Sequence, residues 1–141
     1  MAAGAPPVGT SRRILIVDEN PDGAESLAVL LALSGHATQT AHDGPEAIAA
    51  AERFRPDVML LDIGLPKVNG YEVCRRIRAE PWEKDVLVVA VTGLGQDAEQ
   101  RRSQEAGFDG HLVKPVDFHE LARLLAALPP QDASGAATRA A

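Results

Sequence analysis

Pro56-Asp57-Val58-Met59-Leu60-Leu61-Asp62-Ile63-Gly64-Leu65-Pro66 is the stretch from which the fold can be read. Four consecutive apolar residues suit a strand covered on both faces, and the Gly and Pro beyond them must break it. Asp62 therefore stands at the carboxyl end of a buried strand, where open α/β sheets place their chemistry. A second apolar run, Ile14-Leu15-Ile16-Val17, ends in Asp18-Glu19. Two strand ends thus present three carboxylates, which is costly unless the cluster holds a cation or carries a reaction.

Strand and helix patterns alternate outward from this point. Strands are expected over 13–18, 36–41, 57–61, 86–91 and 110–113, and helices over 21–34, 45–54, 70–79, 97–106 and 118–128. Five βα units in succession imply a doubly wound α/β fold: a five-stranded parallel sheet flanked by five helices, with right-handed crossovers. The helix starts carry their own marks. Asn20 is placed to cap a helix opening on Pro21, with Gly35 after its end. Asn69 with Glu72, and Asp117 with Glu120, have capping-box spacing, and Val116 with Leu121 has that of a hydrophobic staple. Residues 1–11 and 129–141, rich in Ala, Gly, Pro, Ser and Thr, are expected to be flexible tails around a folded unit at 12–128.

A length of 141 residues suits one domain with a full core. The formal charge of −6 argues against a nucleic-acid surface, which would carry a basic patch. Arg12-Arg13 and Arg75-Arg76 are short pairs, expected at solvated strand or helix ends. The single Cys74 excludes an internal disulfide and a cysteine zinc cage; it falls on a helical apolar stripe and is expected to be a small core residue. No apolar run reaches membrane-spanning length, and the first residues lack the pattern of a signal peptide, so a cytoplasmic location is expected.

Two helices depart from the ordinary amphipathic pattern. Leu27-Ala28-Val29-Leu30-Leu31-Ala32-Leu33 is apolar all round, which leaves two readings: a face for a partner protein, or a helix seated deeply between neighbours. Asp97 to Ala106 has little to anchor it, as suits either a mobile switch element or a plain solvated helix.

The polar residues at successive strand ends are Asp18 and Glu19, Asp62, Thr92, and Lys114. In a doubly wound sheet these ends lie along one edge. Carboxylate oxygens suit a hard divalent cation such as Mg²⁺, and zinc is disfavoured because no Cys or His sits beside the acids. Lys114 supplies a point charge and Thr92 a hydroxyl, the groups that hold a phosphoryl oxygen. Phosphoryl transfer onto a carboxylate fits this set, because its loose transition state asks mainly for positioning and charge neutralisation. Asp62 is the expected nucleophile, and a carboxylate needs no base to deprotonate it at neutral pH. Dinucleotide binding is excluded, since Asp18-Glu19-Asn20-Pro21 follows the first strand in place of a glycine-rich turn.

These residues resemble the receiver domains of two-component response regulators. The likeness covers residues 12 to 128 through Ile14-Leu15-Ile16-Val17-Asp18-Glu19-Asn20, Leu61-Asp62-Ile63-Gly64-Leu65-Pro66 with Asn69-Gly70, Val91-Thr92-Gly93, and Lys114-Pro115. The resemblance implies a flavodoxin-like sheet of order 2-1-3-4-5. It implies that Asp62 takes phosphate from a phosphohistidine on a sensor histidine kinase or phosphotransfer protein. It further implies that Asp18, Glu19, Asp62 and the Gly64 carbonyl form a Mg²⁺ site, that Thr92 and Lys114 engage the phosphoryl oxygens, and that the Lys114-Pro115 peptide is cis. Asp43-Gly44-Pro45-Glu46-Ala47 and Ala106-Gly107-Phe108-Asp109 look most like receivers attached to hybrid kinases or encoded as free single domains. Two positions depart from the family pattern: Glu19 where Asp is usual, and His111 where the switch residue is usually aromatic. His111 is then either a switch partner of Thr92 or a plain strand-end histidine.

Two other classes compete with a phosphorylation-controlled signalling domain. A phosphatase of the haloacid dehalogenase type would carry a second Asp where this chain has Gly64. An interaction module that keeps the fold without the chemistry would find its only hint in Glu19. With no effector expected after residue 128, output is expected through a protein partner or through acting as a phosphate relay or sink, with neither nucleic acid nor membrane involved.

Overall fold

The computed structural model describes residues 11–63, 70–80, 86–92, 107–114 and 116–127. The expected helix at 97–106, the Gly64 carbonyl, the Asn69 cap, the Lys114-Pro115 peptide and both tails up to residue 10 and from residue 128 lie outside these residues.

The described elements are β1 (Arg13–Val17), α1 (Pro21–Leu33), β2 (Ala37–Ala41), α2 (Gly44–Phe54), β3 (Val58–Asp62), α3 (Gly70–Ala79), β4 (Leu87–Thr92), β5 (Gly110–Val113) and α4 (Phe118–Ala127). The strands form one five-stranded sheet in the order β2-β1-β3-β4-β5, and every pairing is parallel. The central strands β3 and β4 are buried along their whole length, as expected of strands with helices on both faces. Alternation along the strands divides the core in two. Leu15, Val17, Met59, Leu61 and Val88 pack with α2 and α3; Ile14, Ile16, Leu60, Val89 and Val91 pack with α1 and α4.

The helices begin where their caps place them. Asn20 Oδ1 accepts from the amides of Asp22 and Gly23, and Asp117 Oδ1 accepts from those of His119 and Glu120. Val116 and Leu121 belong to one apolar cluster, as a staple requires. Gly35 leaves α1 in the left-handed region, φ 102°. β3 and β4 each run one residue further than expected. Asp62 pairs with Val91 inside the ladder, and the next amide, Ile63, still donates to the Val91 carbonyl at 3.0 Å.

Two expectations about the surface are settled by packing. The α1 helix is not seated deeply all round: Ala24 and Leu31 are buried, while Val29 is 55% and Leu33 78% exposed. Arg12 is not solvated; it is buried, and its guanidinium donates to the Leu125 carbonyl. Because α4 has no basic residue in its last turn, Arg12 supplies from another element the donor that a helix end needs. Arg13 does lie at the surface, its guanidinium 4.2 Å from the centre of the Phe54 ring. Arg75 and Arg76 are solvated and pair with Glu72. Cys74 is a core residue, and burial pushes its thiol up to about 11.

His36 gives this amino edge of the sheet a pH dependence. Its Nδ1 accepts from the Arg12 amide at 3.1 Å, and burial, then the Arg12 charge, hold its pKa below the ordinary value. A depressed histidine pKa contributes stability that is complete above the unfolded value, about 6.5, and is lost as pH falls through the folded value. Urea melts of the wild type should therefore weaken below about pH 6.5. His36→Asn, whose Oδ1 keeps the acceptor without titrating, should lose less over the same interval.

Candidate functional site

The sheet register assembles the polar strand ends in a staircase. Val17 of β1 pairs with Leu61 of β3, so the next residues, Asp18 and Asp62, stand level. Asp62 pairs with Val91, which sets Thr92 one step further out. Thr92 pairs with Val113, so Lys114 lies one step beyond that. Lys114 closes the staircase by reaching back. Its amide donates to the Thr92 carbonyl at 2.7 Å, and its Nζ donates to Asp62 Oδ2 at 2.8 Å and lies 3.6 Å from Asp18 Oδ2.

This contact shapes the electrostatics. Burial works against the Lys114 charge, yet the hydrogen bond and charge of Asp62, joined by those of Asp18, outweigh it and hold the ammonium above its ordinary range. Asp62 is 7% exposed, and a carboxylate so placed needs a cation beside it. The pair faces a cleft of about 510 Å³ whose lining includes Asp18, Asn20, Asp62, Lys114, Leu27 and Val116.

α3 starts close against the end of the acid strand. The Gly70 amide donates to the Ile63 carbonyl at 2.9 Å. A Cβ on Gly70 would lie 2.6 Å from Ile63 Cα and 2.8 Å from the Asp62 carbonyl oxygen. Only glycine lets the first turn of α3 approach the acid strand this closely.

Asp18, Asp62 and Lys114 thus converge as expected. Thr92 is buried at the end of β4; strand alternation turns it toward the α2–α3 side, as it does His111, which pairs with Ala90. His111 is partly buried, and its Nε2 is a buried side-chain nitrogen with no hydrogen-bond partner among the described residues. Glu19 is exposed. Among the described residues no three His, Cys, Asp or Glu side chains form a metal-binding group. Two carboxylates from adjacent strands remain, gathered on one ammonium. They fit Mg²⁺, which takes one or two carboxylates and keeps several waters.

One site residue escaped the sequence reading. His42 Nδ1 lies 3.0 Å from the Asp18 carbonyl oxygen. The signal available for it was the Asp43–Glu46 spacing just after it. Glu46 donates its amide to Asp43 Oδ1 and accepts the His42 amide on Oε1, a variant of the capping box.

The model of the response regulator receiver domain matches residues 14–126. The chain is 38% identical over 121 residues to the DNA-binding dual master transcriptional regulator RpaA of Synechocystis sp., covering 85% of this chain and 50% of that protein. It therefore spans about half the length of that relative. Among solved structures, the chemotaxis protein CheY4 of Vibrio cholerae matches with a TM-score of 0.78 at 27% identity, over 82% of this chain and 96% of that one. The receiver domain of the sensor histidine kinase PA1611 of Pseudomonas aeruginosa PAO1 has a magnesium ion coordinated in its active site cleft. It gives 0.74 at 32% identity, over 82% of this chain and 94% of that one. The parallel order β2-β1-β3-β4-β5, the acids at its carboxyl edge and a family match across most of the chain agree: this chain belongs to the response regulator receiver domains of two-component signalling.

Proposed function

We propose that Asp62 accepts a phosphoryl group from the phosphohistidine of a sensor kinase or phosphotransfer protein, and that the phosphorylated domain engages a protein partner or relays the phosphate. The observation that carries this reading is the Lys114 ammonium 2.8 Å from Asp62 at the carboxyl edge of the sheet, with Asp18 beside it. A carboxylate oxygen of Asp62 attacks phosphorus as the phosphorus–nitrogen bond of the donor breaks, and the departing imidazole takes up a proton. Lys114 then meets the charge on the phosphoryl oxygens, and Thr92 offers them its hydroxyl.

Asp18 and Asp62 are the residues that would hold Mg²⁺, with Glu19 reaching it through water and Gly64 by its carbonyl. The ion would neutralise charge on the phosphoryl group. His111, on the same sheet face as Thr92, is the residue that would change place with it. The domain catalyses only its own phosphorylation and dephosphorylation in this reading. An acid for a leaving alcohol, as a phosphatase needs, has no candidate two residues after Asp62, where the sequence has Gly64.

Acetyl phosphate with Mg²⁺ should add one phosphate to the wild type, read by intact mass, and none to Asp62→Asn. Equal labelling of the two proteins would remove Asp62 from its role.

A further inference from the structure

We infer that His42 is a positioning residue for the acid site: its Nδ1–H holds the Asp18 carbonyl, so the turn between β2 and α2 sets where the Asp18 carboxylate stands. The inference deepens the function proposed above, since it takes Asp18 as a member of the Asp62 site.

Asp18 lies one residue past the end of β1, where ladder bonding normally stops and a loop is free to drift. Here both of its backbone groups are tied to consecutive residues at the end of β2 and just after it. Its amide donates to the Ala41 carbonyl at 3.0 Å, and its carbonyl faces His42 Nδ1 at 3.0 Å. Rotating the peptide on either side of Asp18 breaks one of these contacts. Of the side chain, Oδ1 accepts the Asn20 amide at 2.9 Å, and Oδ2 is the atom turned toward Lys114.

A carbonyl oxygen is an acceptor only, so the ring nitrogen facing it must carry hydrogen. In the neutral ring this is the Nδ1–H tautomer, the one less favoured by a free imidazole in water. The ring is itself fixed at its base. The His42 amide donates to Glu46 Oε1 at 2.8 Å, and the Glu46 amide donates to Asp43 Oδ1 at 2.8 Å. Asp43 caps α2, whose first turn buries Gly44 and Ala47. The start of α2 is thereby linked through one imidazole to the strand end that carries Asp18, much as outer hydrogen bonds orient metal ligands.

The test uses the metal-free, unphosphorylated protein and Mg²⁺ alone. Long-range ¹H–¹⁵N spectra of the wild type should show His42 protonated on Nδ1 and bare on Nε2. His42→Leu keeps the volume without the donor, and should bind Mg²⁺ about tenfold more weakly in a chemical-shift titration. His42→Asn carries an N–H at the same branch of the side chain, and should stay within about twofold of wild type. An Nε2–H tautomer, or equal Mg²⁺ affinity in a folded His42→Leu protein, would overturn the inference. If that variant does not fold, the wild-type tautomer decides alone. Labelling by acetyl phosphate separates the two claims. A wild type that takes no phosphate, with the tautomer and affinity series as expected, removes the role of Asp62 and leaves that of His42. Normal labelling with a flat series does the reverse.

Discussion

Lys114→Met should slow phosphoryl transfer to Asp62 by at least about a hundredfold, the scale on which loss of one preorganised charge acts in a transition state. It should also bind Mg²⁺ more tightly than the wild type. The opposed signs follow from one geometry. Lys114 Nζ lies 2.8 Å from Asp62 Oδ2 and 3.6 Å from Asp18 Oδ2, so it neutralises the same two carboxylates that a divalent cation would use. Removing it leaves two uncompensated acids and raises the attraction for any remaining cation. During transfer, however, charge grows on the phosphoryl oxygens, and no other described lysine lies on this cleft. The Lys114 side chain is 37% exposed while Asp62 is 7% exposed, so any cost to the fold comes from the acid left behind rather than from lost packing. Initial rates with acetyl phosphate, followed by intact mass and paired with an Mg²⁺ titration, check both directions. An unchanged rate would take Lys114 out of the reaction.

Gly70→Ala should destabilise the domain by at least about 2 kcal/mol, lowering the midpoint of thermal unfolding by roughly 8–10 °C for a domain of this size. The obstacle is backbone, not a flexible side chain: Ile63 Cα at 2.6 Å and the Asp62 carbonyl oxygen at 2.8 Å. Neither retreats without moving β3 or lifting the first turn of α3, which also strains the bond from the Gly70 amide to Ile63. Asp62 belongs to the displaced strand. The variant that remains folded at low temperature should therefore also take up phosphate more slowly. Circular dichroism melts and mass labelling on the same sample read the two effects. An alanine tolerated within a degree or two would mean that the backbone yields more easily than its packing implies.

Local chemistry explains what could be read from the chain in advance. Four apolar residues before Asp62 gave β3, and Asn20 before Pro21 gave the start of α1, because each depends only on neighbours in sequence. Alternation of strands and helices gave the parallel sheet. The strand ends then brought Asp18, Asp62 and Lys114 together, because every crossover returns the chain to the same edge. The misreadings are long-range. Arg12 looks like a solvated charge until α4 arrives with a bare carbonyl at Leu125. His42 was passed over, because nothing marks it until β2 is laid beside β1. The need for glycine at position 70 depends on how closely a helix meets a strand end, which no local pattern encodes. Glu19, where the family pattern has Asp, is exposed one residue beyond Asp18, a placement open to water that the sequence alone does not specify.

The Arg12 contact also says something about distance from the acid site. Arg12 precedes β1, and Leu125 lies in the last turn of α4. The two are stitched together at the amino edge of the sheet, whereas Asp62 lies at the carboxyl edge, about 16 Å away along a five-residue strand. A segment joined near either residue would start at the edge opposite the chemistry. From that edge the way to Asp62 runs the length of the strands, and the buried Arg12 guanidinium there ties the residue before β1 to the last turn of α4.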